Sequence, residues 1–444
     1  MKRLIFNQLE QWSEEKDRKP LILRGARQVG KTYAVNHFGH LWSAKGNYHY
    51  VDLKSEKDLH SIFKETNDPK KIIDLISLKK NIRVDCNRDL IFFDEIQECP
   101  GAISSLKYFE EKLKQLAVIA AGSHLGLAKQ EDSFPVGKVN FLSMFPMTFA
   151  EFLAVIDSKL FPYHDEFHPD NPAPLPGIVH EKLLELCRLY MAVGGMPEAV
   201  LKFIENNDDN PGMAMATARR IHRELLTGYE SDFAKYSGTV NANHIHHVFN
   251  SIPTQLSQNY DENAPKYKFS GVIPNLKGFD RIIGPLTWLT KSRLCIKNYM
   301  AKKSGHPLKA WTSPNAFKLF YFDIGLLNAS LGIPMENIAT NNLESYKGYI
   351  LENFVAQELY SIFDDDLFSW NEGAAELEFL VPYKNTIVPL EVKSSTRSRK
   401  SKSLDSYIKK YGPAPAFKLS AQNFGAGNRG YATVPYYLIS KIFE

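Results

Sequence analysis

The chain has 444 residues, 44% of them hydrophobic and 23% charged, an ordinary globular composition with room for roughly two to four domains. Its net charge is +4, and its four cysteines (Cys86, Cys99, Cys187, Cys295) form no C-x-x-C pair, which argues against a zinc site or a disulfide frame. No apolar stretch approaches a membrane span and the N-terminal apolar run is too short for a signal peptide, so no membrane role and a reducing cytoplasm are expected.

The first informative segment is PLILRGARQVGKTYAV, residues 20–35. Its apolar LIL run predicts a buried parallel strand. Gly25-Ala26-Arg27-Gln28-Val29-Gly30-Lys31-Thr32 then matches G-x-x-x-x-G-K-[ST] in full. The glycines let backbone N–H groups face a phosphate, and the helix that opens through Tyr33 adds its positive end. Lys31 is expected to reach the β- and γ-phosphates, and the Thr32 hydroxyl to hold Mg2+.

The segment NYHYVDL (47–53) predicts a second strand. DLIFFDEIQ (89–97) predicts a third, ending in Asp94-Glu95. Asp94 can hold the Mg2+ shell there, and Glu95 can polarise an attacking water. LAVIAAGSH (116–124) ends in Ser123 and His124. Ser123 reads as a γ-phosphate sensor or, equally well, as a helix N-cap. No Asn-Lys-x-Asp guanine reader is present, so ATP is expected over GTP. PVGKVNFLSMFPMTFAEFLAV (135–155) predicts a last strand and then a helix with a Thr148/Glu151 capping box. Residues 1–158 are therefore read as a P-loop ATPase core with a parallel sheet.

Residues 161–177 carry five prolines beside His164, Asp165, Glu166 and His168, and read as a solvated linker rather than a metal site. Residues 178–238 read as a helical lid or connector, interrupted by Gly194-Gly195 and Pro197. Arg219, Arg220 and Arg223 are finger candidates for ATP, although an exposed basic face is the favoured reading. Residues 239–310 resemble a winged helix, with Lys277, Arg281, Lys291, Arg293 and Lys297 among apolar residues at helical spacing. Residues 266–303 hold nine Lys/Arg against Asp280, and residues 393–410 hold seven against Asp405. Such patches point to DNA as a partner, with solvated faces as the plainer alternative.

With GARQVGKT, IFFDEIQ, AAGSH, FPMTFAEFL and GGMPEAV in this order, the chain resembles bacterial and archaeal AAA-type P-loop ATPases that carry a C-terminal domain of unknown function. The likeness continues through FKLFYFDIGLL, GYILENFVAQEL and LEVKSS. It implies an ATPase core, a winged helix and a restriction-endonuclease-like C-terminal α/β domain, here residues 311–444. AAA-type ATPases often form rings, which makes a homo-oligomer an expectation; protein partners are another. Two departures stand out: Gly137-Lys138 where the family usually has Gly-Arg, and Glu376-Leu377-Glu378-Phe379 where it usually has Glu-Val-Asp-Phe.

Restriction-like nucleases place one carboxylate near a strand end, E-x-K on the next strand, and often a third acid on the preceding helix. Glu378, then Glu391 with Lys393, and Glu352 fit those places, with Glu391 and Lys393 on one face of a strand. The E-x-K pattern also occurs at Glu14 and Lys16 and at Glu110 and Lys112, so it is cheap. A longer arm at Glu378 fits poorly with the strict octahedral demand of Mg2+. A non-catalytic binding or signalling module is therefore favoured over metal-dependent cleavage.

Overall fold

Leu21, Ile22 and Leu23 are fully buried, as a continuous apolar run bounded by a glycine turn requires of a central parallel strand. In the computed structural model this strand, β1 (Leu21–Arg24), pairs parallel with both β4 (Ala117–Gly122) and β5 (Asn140–Ser143). β2 (Tyr48–Asp52) and β3 (Leu90–Asp94) complete a five-stranded sheet of order β2-β3-β4-β1-β5. The expected parallel sheet is thus present. The structure describes residues 1, 3–123, 134–237, 239–262, 266–343, 346–373, 375–394, 400–412, 415–425 and 430–444. His124 and residues 395–399 of the second basic segment lie outside these.

Two units are distinguished, Met1–Phe145 and Pro146–Glu444. The core of the first lies between the sheet and its helices, around Ile91, Phe93, Leu106 and Phe109.

The helix Phe149–Ile156 opens the second unit with the expected capping box: Glu151 N–H donates to Thr148 Oγ1 and Thr148 N–H to Glu151 Oε2. Helices Gly177–Val193, Pro197–Asn207, Pro211–Ser237 and Thr239–Glu262 follow. A seven-stranded mixed sheet has the order β12-β11-β10-β9-β8-β6-β7. Its strands are β6 (Cys295–Ala301), β7 (Thr312–Tyr321), β8 (Leu367–Glu372), β9 (Ala375–Tyr383), β10 (Thr386–Val392), β11 (Phe417–Ser420) and β12 (Ala432–Pro435). β6 and β7 lie on either side of residue 310 and pair antiparallel. β9 and β10 form a hairpin whose two turn residues, Lys384 and Asn385, both have positive φ, as a tight primed turn needs.

Distant segments of the second unit interlock in its interior. Gly195 N–H donates to Asp323 Oδ2 at 2.7 Å, and Phe149 N–H to Glu358 Oε1 at 3.0 Å. Gln357 joins Tyr190 to Ile324, accepting from the Ile324 N–H at 2.8 Å and donating to the Tyr190 hydroxyl at 2.8 Å. Buried polar groups are stable only when satisfied in this way.

The solvated-linker reading of residues 161–177 is corrected at its start and holds over the mostly exposed residues 168–177. Phe161–Asp165 is a short helix, His164 is fully buried with Nε2 3.0 Å from the Tyr437 carbonyl, and Asp165 pairs with Lys441. Phe167 is buried and packs against the ring of Phe424, far along the chain. Among the described residues, no helix is long and apolar enough to cross a membrane.

Candidate functional site

The phosphate loop leaves β1 and turns into the helix Lys31–Leu41. Gln28 and Gly30 both have positive φ, 67° and 96°, which curls the loop. A Cβ on Gly25 would sit 2.2 Å from the Met144 carbonyl oxygen, so only glycine fits there. Ala26 and Val29 are buried beneath the loop. Arg3 was not legible as part of this site. It is 5% exposed and donates to the Val29 carbonyl at 3.1 Å and the Phe145 carbonyl at 2.8 Å, bracing the loop from below.

Lys31 is 7% exposed. Its ammonium donates to the Gly25 and Ala26 carbonyls at 3.0 and 2.8 Å and to Ser123 Oγ at 2.9 Å. Burial lowers its pKa to about 8, against the pull of Glu95 and Asp94, while Arg27 adds to the lowering. Ser123, at the end of β4, thus touches the lysine of the loop.

Thr32 Oγ1 donates to Asp94 Oδ2 at 2.7 Å. The Tyr50 hydroxyl donates to the same oxygen at 3.2 Å; β2 runs beside β3 with Tyr50 opposite Phe92, a neighbour strand periodicity could have found. Burial raises the pKa of Asp94 and Glu95 adds to this, while the bonds from Thr32, the Glu95 N–H and Tyr50 oppose it. Glu95 follows in a left-handed backbone conformation, φ 49°, and its side chain accepts from Gln97. Non-glycine residues hold such a conformation only where surroundings impose it. The donor set fits Mg2+: one hydroxyl and one carboxylate, both hard oxygens, beside a loop shaped for phosphate oxygens. Lys138 pairs with Glu110 and Glu111 at 2.9 and 3.3 Å, which engages the charge at the departure from the family pattern.

In the second unit the structure brings the four nuclease-like positions into one cluster and adds two residues the sequence did not flag. Lys393 Nζ lies 2.9 Å from Glu391 Oε1 and 3.8 Å from Glu378 Oε1. Glu352, on the helix Lys347–Phe363, is paired at 2.9 Å with Lys318 of β7. Glu376 of β9 faces the same lysine electrostatically. Burial raises the pKa of Glu378 to about 8, opposed by Lys393 and reinforced by Glu352 and Glu391. Burial also raises Glu376. Lys318 and Lys393 are held charged because the carboxylates outweigh the cost of burial. Among the described residues, no three Asp, Glu, His or Cys side chains are grouped so that they could hold a metal ion.

The cations of the first basic segment are divided. Lys277, Arg281 and Lys291 are exposed. Arg293 is instead paired with Asp364, and Lys297 lies 4.3 Å from the Tyr299 ring centre and 4.2 Å from that of Phe317. Both were expected on a phosphate-binding face, and packing has drawn them in. Among the finger candidates, Arg219 donates to the Ile333 carbonyl and Arg220 pairs with Glu224 at 2.7 Å. Arg223 lines an open cavity of about 390 Å³ with Glu230 and Asn250.

Residues 17–153 match the family model of the AAA domain. Residues 184–337 and 347–437 match two models described as domains of unknown function, DUF8612 and DUF4143. No curated protein matches the chain. Among solved structures, the chain is similar to a Walker-type ATPase of Pyrococcus abyssi at 16% identity, over 73% of this chain and 94% of that one, with a TM-score of 0.44. It is similar to the Aeropyrum pernix ORC1 protein in complex with DNA at 12% identity, over 75% and 91% of the two chains, TM-score 0.30. For AMPPCP-bound DnaA from Aquifex aeolicus the values are 14%, 66%, 88% and 0.31.

Proposed function

We propose that the chain is an ATP-binding, Mg2+-dependent ATPase that couples its nucleotide state to nucleic-acid binding or processing by its C-terminal half. The observation that carries the ATPase reading is the convergence of Lys31, Ser123, Thr32 and Asp94 through hydrogen bonds of 2.7–2.9 Å at one end of a parallel sheet. Lys31 binds the β- and γ-phosphates, trading its carbonyl partners for phosphate oxygens. Thr32 and Asp94 would hold Mg2+, which when bound neutralises phosphate charge. Glu95 orients the attacking water and takes its proton. Ser123 contacts the γ-phosphate region through its bond to Lys31.

The test is phosphate release from Mg2+-ATP alongside nucleotide binding. Glu95→Gln should bind as wild type does and lose turnover about a hundredfold or more. Unchanged turnover would mean that another group positions the water.

For the C-terminal half, the functional parts proposed are a helical connector, a winged-helix-like segment and a nuclease-like domain, with DNA reached through exposed lysines such as Lys277 and Lys291. Ring assembly, protein partners and a cytoplasmic location are further parts of the proposal. One observation favours a second reading, a nucleotide-dependent switch with an inactive nuclease-like domain. Glu352 and Glu391 are each already paired with a lysine at 2.9 Å. Plasmid cleavage with Mn2+, compared between wild type and Glu391→Ala, separates the two: cleavage lost in the variant supports processing, and none in a well-folded wild type supports the switch.

A further inference from the structure

We infer that Tyr33, backed by His37, is the platform on which the base of the bound nucleoside triphosphate stacks. The inference rests on the phosphate-site reading above and extends it to the other end of the ligand.

Tyr33 follows Thr32 directly in the first turn of the helix Lys31–Leu41. The lysine two residues earlier is almost wholly buried, yet Tyr33 is 50% exposed. An exposed large aromatic beside a buried phosphate-binding ammonium needs a reason. His37 lies one turn on, and its ring is stacked with that of Tyr33 at 6.1 Å and 5°. Phe6 closes on His37 at 4.7 Å. The terminal amino group of Met1 donates to the Tyr33 hydroxyl at 3.1 Å. The N-terminal segment that supplies Met1 and Phe6 is pinned by Arg3 to the loop itself, through the Val29 carbonyl. One buried arginine thus fixes both the phosphate loop and the support of the aromatic pair.

A triphosphate held at Lys31 extends its sugar and base away from the buried end of the site, toward solvent. The exposed tyrosine face offers a flat apolar surface of the kind a base covers. Stacking reads the face of a base and not its edge, so it needs no guanine-reading motif. The ring is preorganised by His37, Phe6 and Met1, so little rotamer freedom is lost on binding.

The test is calorimetric titration of the full chain with two probes, a β,γ-methylene ATP analogue and inorganic tripolyphosphate, each with Mg2+. Tyr33→Ala should weaken the nucleotide about tenfold or more and leave tripolyphosphate unchanged. Tyr33→Phe, which removes only the bond from Met1, should stay near wild type. Equal weakening of both probes would assign Tyr33 to the shape of the phosphate loop and overturn the platform. No weakening of either would overturn it too. A wild type that binds neither probe would remove the phosphate-site reading, and the platform with it.

Discussion

Thr32 Oγ1 and Asp94 Oδ2 are joined by a 2.7 Å hydrogen bond between two elements 62 residues apart in sequence. The hydroxyl opens a helix and the carboxylate ends β3, so strand order alone brings them together. If these oxygens serve Mg2+, Asp94→Asn keeps an acceptor for Thr32 but loses the charge. The Mg2+ concentration for half-maximal ATP hydrolysis should then rise about tenfold to a hundredfold. A Mg2+ titration of turnover measures this, and an unchanged midpoint would place the cation elsewhere.

If Lys31 binds phosphate as proposed, that binding should be sensitive to pH near 8. Its pKa in the folded protein is lowered from 10.5 to about 8, first by burial. The free protein therefore loses the ammonium as pH rises through about 8. Affinity for tripolyphosphate should be full below that pH and fall above it by up to about tenfold per unit. Lys31→Ala should show a weak, flat profile. The same shift makes this group's contribution to stability rise between about pH 8 and 10.5, because there the unfolded chain holds more protons.

Glu358 is expected to make the second unit more stable toward acid. Burial raises its pKa from 4.5 to about 8, with Glu151 reinforcing and the Phe149 N–H opposing. Between these values the folded state keeps a proton that the unfolded chain has lost. Stability from this group is full below about 4.5 and is lost as pH rises toward 8. Glu358→Gln keeps an acceptor for Phe149 and cannot ionise. The variant should gain on wild type in thermal unfolding at pH 8 by an amount of the order of a few kcal/mol, and little at pH 5. Parallel pH profiles would show that Glu358 is ionised in the fold.

Two glycines in the second unit should respond oppositely to alanine. At Gly195 the new Cβ would lie 2.2 Å from the Met147 carbonyl oxygen, whereas at Gly228 nothing lies within 4 Å. Gly195→Ala should destabilise by about 1–3 kcal/mol. Gly228→Ala, inside the helix Pro211–Ser237, should stabilise by about 0.5–1 kcal/mol. Denaturant unfolding distinguishes these outcomes, and a neutral Gly195→Ala would mean that the contact relaxes freely.

The proposed nucleotide site was legible because its chemistry is contiguous. Eight residues, Gly25 to Thr32, set their own backbone path, and an apolar run ending in Asp94-Glu95 announces a strand with a carboxylate at its tip. Local spacing also gave the capping box at Thr148, since capping chemistry acts over a few residues. The start of the proline-rich segment, residues 161–167, misled because composition does not reveal a distant partner. His164 is buried by Tyr437, 273 residues away.

By itself the sequence determined the phosphate loop, the carboxylate at the tip of β3 and the alternation of strands and helices around them, because those depend on short-range backbone and patterning rules. Tertiary structure alone decided which charges meet. It slid Arg3 under the loop and placed Lys318 against Glu352. It drew Arg293 and Lys297 into packing and left Lys277 and Lys291 outside. Ion pairs and buried hydrogen bonds depend on distances across the fold, and a desolvated charge takes whichever partner the fold brings near. For these long-range partners no spacing along the chain encodes that choice.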